Sequence, residues 1–222
     1  DMSAMFVSTN FNEPIGDWDV RSVTRMPIMF LNTFSFNQPI GNWDVSSVTD
    51  MEEMFYGATS FNQDIGDWDV SNVTDMVGII VNNIFFNQDL SNWQFNEFVN
   101  QLSFGNGLDV NNYDALLVAF SNQNLEDKLL TATNLKYCNT AVRDDLITNK
   151  GWTIFDDSYA FPSVTAPNNI SIDPDTGTCI ATNVDLGSPN NVGCGELIIS
   201  NNAPTTSRLA VTKVFKAIML LY

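Results

Sequence analysis

The sequence predicts an α/β repeat solenoid, with one short strand and one short helix per 25-residue coil, closed by a C-terminal cap and followed by a partial all-β sandwich. Three observations predict it. Trp18, Trp43, Trp68 and Trp93 recur at 25-residue intervals, the repetition stops near residue 100, and the composition turns to Pro, Asn, Thr and Gly beyond Phe161. The division read from these shifts is residues 1–100 for the repeats, 101–160 for the cap and 161–222 for an incomplete β module.

The chain has ample core material: 44% of its 222 residues are hydrophobic, with sixteen Phe and five Trp, too apolar for a disordered polymer. A formal net charge of −17 repels phosphate backbones and anionic lipid headgroups, so nucleic acid is not an expected partner. Residues 1–100 hold fourteen Asp or Glu against two Arg, whereas Ser207–Tyr222 hold Arg208, Lys213, Lys216 and no acid, a tail unlike the rest. No run of about 18 apolar residues that would span a bilayer is present. The N-terminus lacks a basic-then-apolar leader pattern, but it opens inside a repeat.

Several columns keep the 25-residue interval. Phe11, Phe36, Phe61 and Phe86 form one, Ile15, Ile40, Ile65 and Leu90 a second, and Val20, Val45, Val70 and Phe95 a third. A period of 25 falls in the leucine-rich-repeat range, in which a unit cannot bury its apolar side alone and must stack on its neighbours. Ile65, Trp68 and Val70 alternate with polar residues closely enough to suggest a short strand. Thr49-Asp-Met-Glu52 reads as a capping box, and Met51, Met54, Phe55 and Ala58 follow with helical spacing.

Stacking turns each repeated residue into a ladder. Asn12, Asn37, Asn62 and Asn87 follow the column Phe, where inward amides would satisfy backbone groups above and below. Asp19, Asp44 and Asp69 form an acidic ladder, interrupted by Gln94 and flanked by Asp17, Asn42, Asp67 and Asn92; these seven Asp and Asn residues are the candidate binding face. Stacked carboxylates need solvent screening, the reading preferred here, or a bound calcium ion. No metal ligand set is assigned. Trp43 and Trp68 are expected inward, as core; outward indoles would instead offer stacking platforms to sugars.

The pattern Met-Phe, Phe-Asn-Gln and Trp-Asp-Val-Ser-Asn-Val-Thr-Asp-Met, which residues 50–76 carry almost throughout, resembles the BspA-like family of bacterial leucine-rich-repeat surface proteins. The resemblance covers about residues 1–100 and implies a surface or lipid-anchored bacterial protein that binds host or matrix molecules. Ile79-Ile80 and Gln94-Phe95 depart from the pattern in the last copy.

Beyond residue 100 a cap is physically required to cover the last coil. Asp114–Phe120 and Ala141–Ile147 have helical apolar spacing, Lys150-Gly151 suits a helix stop, Trp152–Phe155 reads as a strand, and Cys138 as a buried core thiol. Ile170–Ile172, Ile180–Val184 and Leu197–Ile199 are short β candidates. Cys179 and Cys194 lie close together in a Gly-, Asn- and Pro-rich stretch that leaves room for a bridge. Ala166-Pro-Asn-Asn-Ile-Ser-Ile, Gly177-Thr-Cys179 and Gly193-Cys194-Gly resemble the hyalin-repeat module, an extracellular immunoglobulin-like fold, and that resemblance supports the Cys179–Cys194 bridge.

The chain has no histidine, which removes His-based triads and His-ligated zinc. Neither a C-x-x-C pair nor a Gly-rich phosphate loop occurs. Paired carboxylates could act on a glycosidic bond, but every ladder Asp recurs, whereas a catalytic pair should be singular. The expectation is a non-enzymatic extracellular protein without a cofactor, binding a protein or a glycan. A carbohydrate-binding module, with or without calcium, and a purely structural spacer remain as alternatives.

Overall fold

Residues 1–100 contain no helix and no strand beyond single bridges, so the predicted α/β solenoid with one strand and one helix per coil is not what the chain forms. A computed structural model describes residues 1–156 and the strand segments 170–172, 179–181, 196–197 and 215–216. Its helices, two among the described residues, and its three-stranded parallel sheet all follow the repeats.

Each repeat is instead a succession of β-turns. The N–H of Trp43 returns to the carbonyl of Ile40, Val48 to Val45, Met54 to Met51, Ala58 to Phe55 and Phe61 to Ala58, at 2.8–3.2 Å. The first and fourth residues of these turns point inward and are buried. An i, i+3 spacing of apolar residues therefore arises without a helix, which is why Met51, Met54, Phe55 and Ala58 imitate one.

Two further facts exclude a helix there. In the two turns at Met51–Met54 and Phe55–Ala58 the third residue, Glu53 or Gly57, has positive φ, as do their equivalents Ile28 and Asn32 in the repeat before and Gly78 and Asn82 in the repeat after. Only Gly, and to a lesser degree Asn, enters that region cheaply. Alternate N–H groups also leave the coil: Met51, Glu53, Phe55 and Gly57 donate to Asp75, Val77, Ile79 and Val81 of the following repeat at 2.8–2.9 Å. With four donors joining repeats, three closing turns and the Glu52 N–H taken by Asp50 Oδ1, every amide of Met51–Ala58 has a partner.

The predicted strand around Ile65–Val70 fails for a related reason. Gly66 and Asp67 form a turn tip, and a Cβ on Gly66 would stand 2.5 Å from the carbonyl oxygen of Asp89. Gly16 and Gly41 meet Pro39 and Asp64 in the same way, so backbone-to-backbone contact between repeats explains the glycine column. The capping box also dissolves: Thr49 gives both its N–H (2.9 Å) and its hydroxyl (3.2 Å) to the carbonyl of Thr24, one repeat away.

Inside, like residues meet like. Phe30 stacks on Phe55 at 5.5 Å with 2° between ring planes, and Phe36, Phe61 and Phe86 follow at 5.8 and 5.9 Å. Each fully buried side chain of this size contributes roughly 1.5–3 kcal/mol against exposure.

Single parallel bridges join Arg25, Asp50 and Asp75, and a bridge from Met76 to Leu102 carries this column into the closing segment. There it widens into strands β1 (Gln101–Ser103), β2 (Leu129–Ala132) and β3 (Thr153–Asp156), in the order β1-β2-β3. Helices α1 (Val110–Asn122) and α2 (Thr140–Thr148) make the two crossovers, over the segments expected to be helical.

Three charged residues pin the closing segment. Asp109 caps α1 by accepting from Asn112 N–H. Lys150 donates to the carbonyls of Ser121 and Gln123, at 2.6 Å each, where α1 ends. Asp114 accepts from the N–H groups of Cys138 and Asn139 at the start of α2. Cys138 is disulfide-bonded, which corrects the expectation of a free core thiol.

The chain divides into units Asp1–Tyr159 and Ala160–Tyr222. In the second, β4 (Ile170–Ile172) pairs antiparallel with β5 (Cys179–Ala181), and β6 (Glu196–Leu197) with β7 (Phe215–Lys216). The predicted sandwich and the basic tail otherwise lie outside the described residues, and in a chain of three cysteines the bond at Cys138 is incompatible with the predicted Cys179–Cys194 bridge.

Candidate functional site

The acidic ladder is built by turn chemistry. Asp44 Oδ1 accepts the backbone N–H of Ser46 at 3.2 Å and its hydroxyl at 2.6 Å; Asp69 repeats the arrangement with Ser71 at 3.1 and 2.6 Å. In the first repeat Arg21 replaces Ser and grips Asp19 with Nε and Nη2, both at 2.8 Å. Asp-x-Ser is a local turn motif in which the carboxylate stands in for a backbone acceptor. Each carboxylate is thus held within its own repeat, and the ladder needs no bridging cation to exist.

Electrostatics follows the same partners. The Arg21 hydrogen bonds hold Asp19 down at about 2, and Asp19 in turn raises Arg21. Ser46 lowers the Asp44 carboxyl. These groups are fully ionised at neutral pH.

Asp17, Asp19, Asn42, Asp44, Asp67, Asp69 and Asn92 are all exposed, along one corner of the repeats. Two shallow depressions gather them. Gly16, Asp17, Asp19, Arg21, Asn42 and Asp44 line the first, and Gly66, Asp67, Asp69, Ser71, Asn92 and Gln94 the second. Among the described residues no group of three or more His, Cys, Asp or Glu converges in a way that could hold a metal ion.

The indoles behind this corner are core. Trp43, Trp68 and Trp93 are buried, and each donates its Nε1–H to the carbonyl of a residue one repeat earlier: Ile15, Ile40 and Ile65. Trp18, in the first repeat, is 40% exposed.

The asparagine ladder faces outward, not inward as predicted: Asn12, Asn37 and Asn62 are exposed and Asn87 is half-buried. Each Oδ1 still satisfies backbone, accepting the N–H of the next Asn at 2.9–3.0 Å. Gln38, Gln63 and Gln88 complete the motif by donating to both the backbone and the side-chain oxygen of the Asn one repeat earlier. Sequence reasoning quoted the Phe-Asn-Gln triplet but gave the Gln no role. The closing segment copies the motif, since Asp109 N–H and Asn112 Nδ2 both bind Asn87 Oδ1, so the last repeat meets a matched surface.

Another side of the repeats differs in kind. Residues 2–12, 26–38, 54–63 and 76–88 contain no Asp, Glu, Lys or Arg. This side exposes Phe34, Ile84 and Phe85, which the sequence reading did not single out.

The family model described as "Mycoplasma protein of unknown function, DUF285" matches residues 1–115, all of the repeats and the first turns of α1. That family is associated with BspA-like repeat proteins. No curated protein and no solved structure matches the chain.

Proposed function

The chain belongs to the DUF285 family, and on that footing we propose that it is a non-enzymatic bacterial cell-surface or secreted protein that mediates adhesion. Its acidic corner would hold an extracellular protein or glycan ligand. The observation that carries this reading is the identical tethering of Asp44 and Asp69 in successive repeats, which presents fixed carboxylates at a regular interval. A rigid array of this kind loses little entropy when a ligand docks.

Three features support the reading. Asp44 and Asp69 share the same kind of partner, a serine two residues on, unlike the differently tuned pair that acid–base catalysis needs. The disulfide at Cys138 suits an oxidising, extracellular compartment. Association of the family with BspA-like proteins agrees with a surface role, as does the resemblance of residues 161–222 to an extracellular hyalin-repeat module. Among the described residues no helix is long and apolar enough to cross a membrane; a lipid anchor is the attachment that the BspA-like resemblance implies.

The test is an array of matrix proteins and glycans probed with the whole chain, with and without calcium. Retention of a ligand, weakened at least tenfold in Asp44→Asn/Asp69→Asn and by raised salt, supports the reading. Unchanged binding of every retained ligand by that variant, or polysaccharide hydrolysis that the same changes abolish, refutes it.

A further inference from the structure

We propose that the uncharged side of the repeats is a second binding surface, one that takes a neutral glycan chain laid along the stack. This goes beyond the adhesive role of the acidic corner and does not depend on it.

The surface is defined by register. Phe34, Thr59 and Ile84 occupy equivalent positions in three successive repeats, and Phe85 follows Ile84. Phe34 and Ile84 are each 53% exposed and Phe85 is 63% exposed, so large apolar groups stand in water along one line. Just before them, the side chain of Asn83 is fully buried and neither its Oδ1 nor its Nδ2 has a hydrogen-bond partner. A polar group without a partner inside and two apolar groups outside, in three consecutive residues, invert what folding alone selects. Thr33 and Ala58 fill the equivalent inward position without this cost; the Thr33 hydroxyl donates to the carbonyl of Phe6 at 2.6 Å.

Charge selects the class of ligand. In a chain of net charge −17, this side of each repeat is a stretch of ten or more residues without Asp, Glu, Lys or Arg. An acidic polymer is repelled by the whole molecule, and a basic one is drawn to the acidic corner. A neutral ligand is left.

The remaining chemistry separates a glycan from an apolar protein surface. Protein interfaces concentrate their energy in one contiguous, desolvated centre. Here the apolar groups are divided by Thr59 and Ser60, with Phe34 and Phe85 two rungs apart, on the order of 10 Å at the usual spacing between neighbouring strands. That is comparable to the reach of a disaccharide, so separate rings can each stack on a pyranose face. Beside them runs the amide row. Among the described residues, Asn37 Nδ2, Asn62 Nδ2 and the Oε1 atoms of Gln38 and Gln63 take no protein partner, because the ladder uses the opposite atom of each amide. They form donor and acceptor pairs at the repeat interval, the complement of sugar hydroxyls.

Affinity gel electrophoresis of the whole chain, in gels containing soluble mixed-linkage β-glucan or galactomannan and with heparin as acidic control, tests this. Expected is retardation by at least one neutral polysaccharide and not by heparin. Affinity should fall at least tenfold in Phe34→Ser/Phe85→Ser and in Thr59→Glu, each checked for an unchanged unfolding midpoint, while Asp44→Asn/Asp69→Asn binds as the parent does. No retardation by either neutral polysaccharide overturns the proposal, as does loss of binding in the acidic-corner variant instead. Thr59→Glu decides the matter if the double variant does not fold.

Discussion

The indole of Trp68 donates its Nε1–H to the carbonyl oxygen of Ile40 at 3.3 Å, one repeat away. A side chain thereby performs the task that lateral strand bonds perform in a sheet, at a turn where no strand exists. Trp43 and Trp93 make the same bond, to Ile15 and Ile65. Trp152 makes it in the closing segment, to Leu125 at 2.9 Å. Trp68→Phe keeps most of the apolar volume but removes one of the two donors to the Ile40 carbonyl, which retains the Trp43 N–H at 3.0 Å, a loss of about 0.5–1.5 kcal/mol. Trp18→Phe, at a position already 40% exposed, should shift stability by under about 0.5 kcal/mol. Urea unfolding of the two variants side by side checks this, and equal losses would show that the indole bond contributes nothing.

Ile28 occupies a turn position with φ of +50°, after Pro27, while the equivalent residue two repeats later is Gly78, at +70°. A β-branched residue there is a rare and strained choice. Ile28 is only half-buried, so little packing is lost on its removal. Ile28→Gly should therefore be neutral or stabilising by up to about 1 kcal/mol, although glycine in an ordinary position destabilises. The reverse change, Gly57→Ala, should cost about 1–3 kcal/mol, because its φ is +67° and a Cβ would press into Asn32 Oδ1. Thermal midpoints of both variants give the comparison; a destabilised Ile28→Gly would contradict the strain argument.

These two positions also show where the sequence was legible and where it was not. The period, the stacking partners and the inward tryptophans could be read from Trp43, Trp68 and Trp93, because a residue that recurs at one interval must meet its own kind across each rung. The local path could not be read in the same way. Turn corners at Met51 and Met54, then at Phe55 and Ala58, reproduce helical spacing, and the turn signal at Asn32, Gly57 and Asn82 is offset by Ile28 and Glu53 in equally left-handed positions. The acidic corner was found residue by residue, but the role of Ser46 and Ser71 in tethering it was not, because an Asp-x-Ser bond is local and leaves no periodic trace beyond that of the Asp itself. The neutral side was equally present in the sequence. It is an absence of charge, visible only once residues 26–38, 54–63 and 76–88 lie side by side.

In the closing segment Asp156 is the residue on which most depends. Its carboxylate, 1% exposed, receives Arg143 Nη2 at 2.7 Å, Arg143 Nε at 2.9 Å and the hydroxyl of Tyr113 at 3.0 Å. Burial and the neighbouring carboxylate both push the Tyr113 phenol upward, so it stays protonated as a donor. Arg143→Met strands a buried charge and should cost about 3–5 kcal/mol. Tyr113→Phe removes one of three donors and should cost about 1–2 kcal/mol. In the double variant Arg143→Met/Asp156→Leu much of the first loss should return. Denaturant titration of the three proteins reads this out, and a double variant no better than Arg143→Met would place the cost in lost packing around the Tyr137 ring, over which Arg143 lies at 4.7 Å.

Asp114 gives a prediction in pH. Burial raises its carboxyl above the ordinary value of 3.8, against the opposing pull of the Asn139 and Cys138 N–H groups. The folded state therefore holds the proton more tightly than the unfolded chain. Between the unfolded and the folded pKa the native protein binds more protons, so the contribution of this group is fully present below about pH 4 and is lost as pH rises through the folded value. Asp114→Asn keeps an oxygen for the N–H groups but cannot titrate. The stability of the parent relative to Asp114→Asn should accordingly be greater at pH 4 than at pH 7, even though the carboxylate at neutral pH is the better acceptor. Glu52, also raised by burial and by the Asp75 and Asp50 charges, shifts parent and variant equally and cancels in the difference. Urea midpoints of both proteins at the two pH values measure it; a parent advantage that grows toward pH 7 would mean that the two backbone donors outweigh burial at this site.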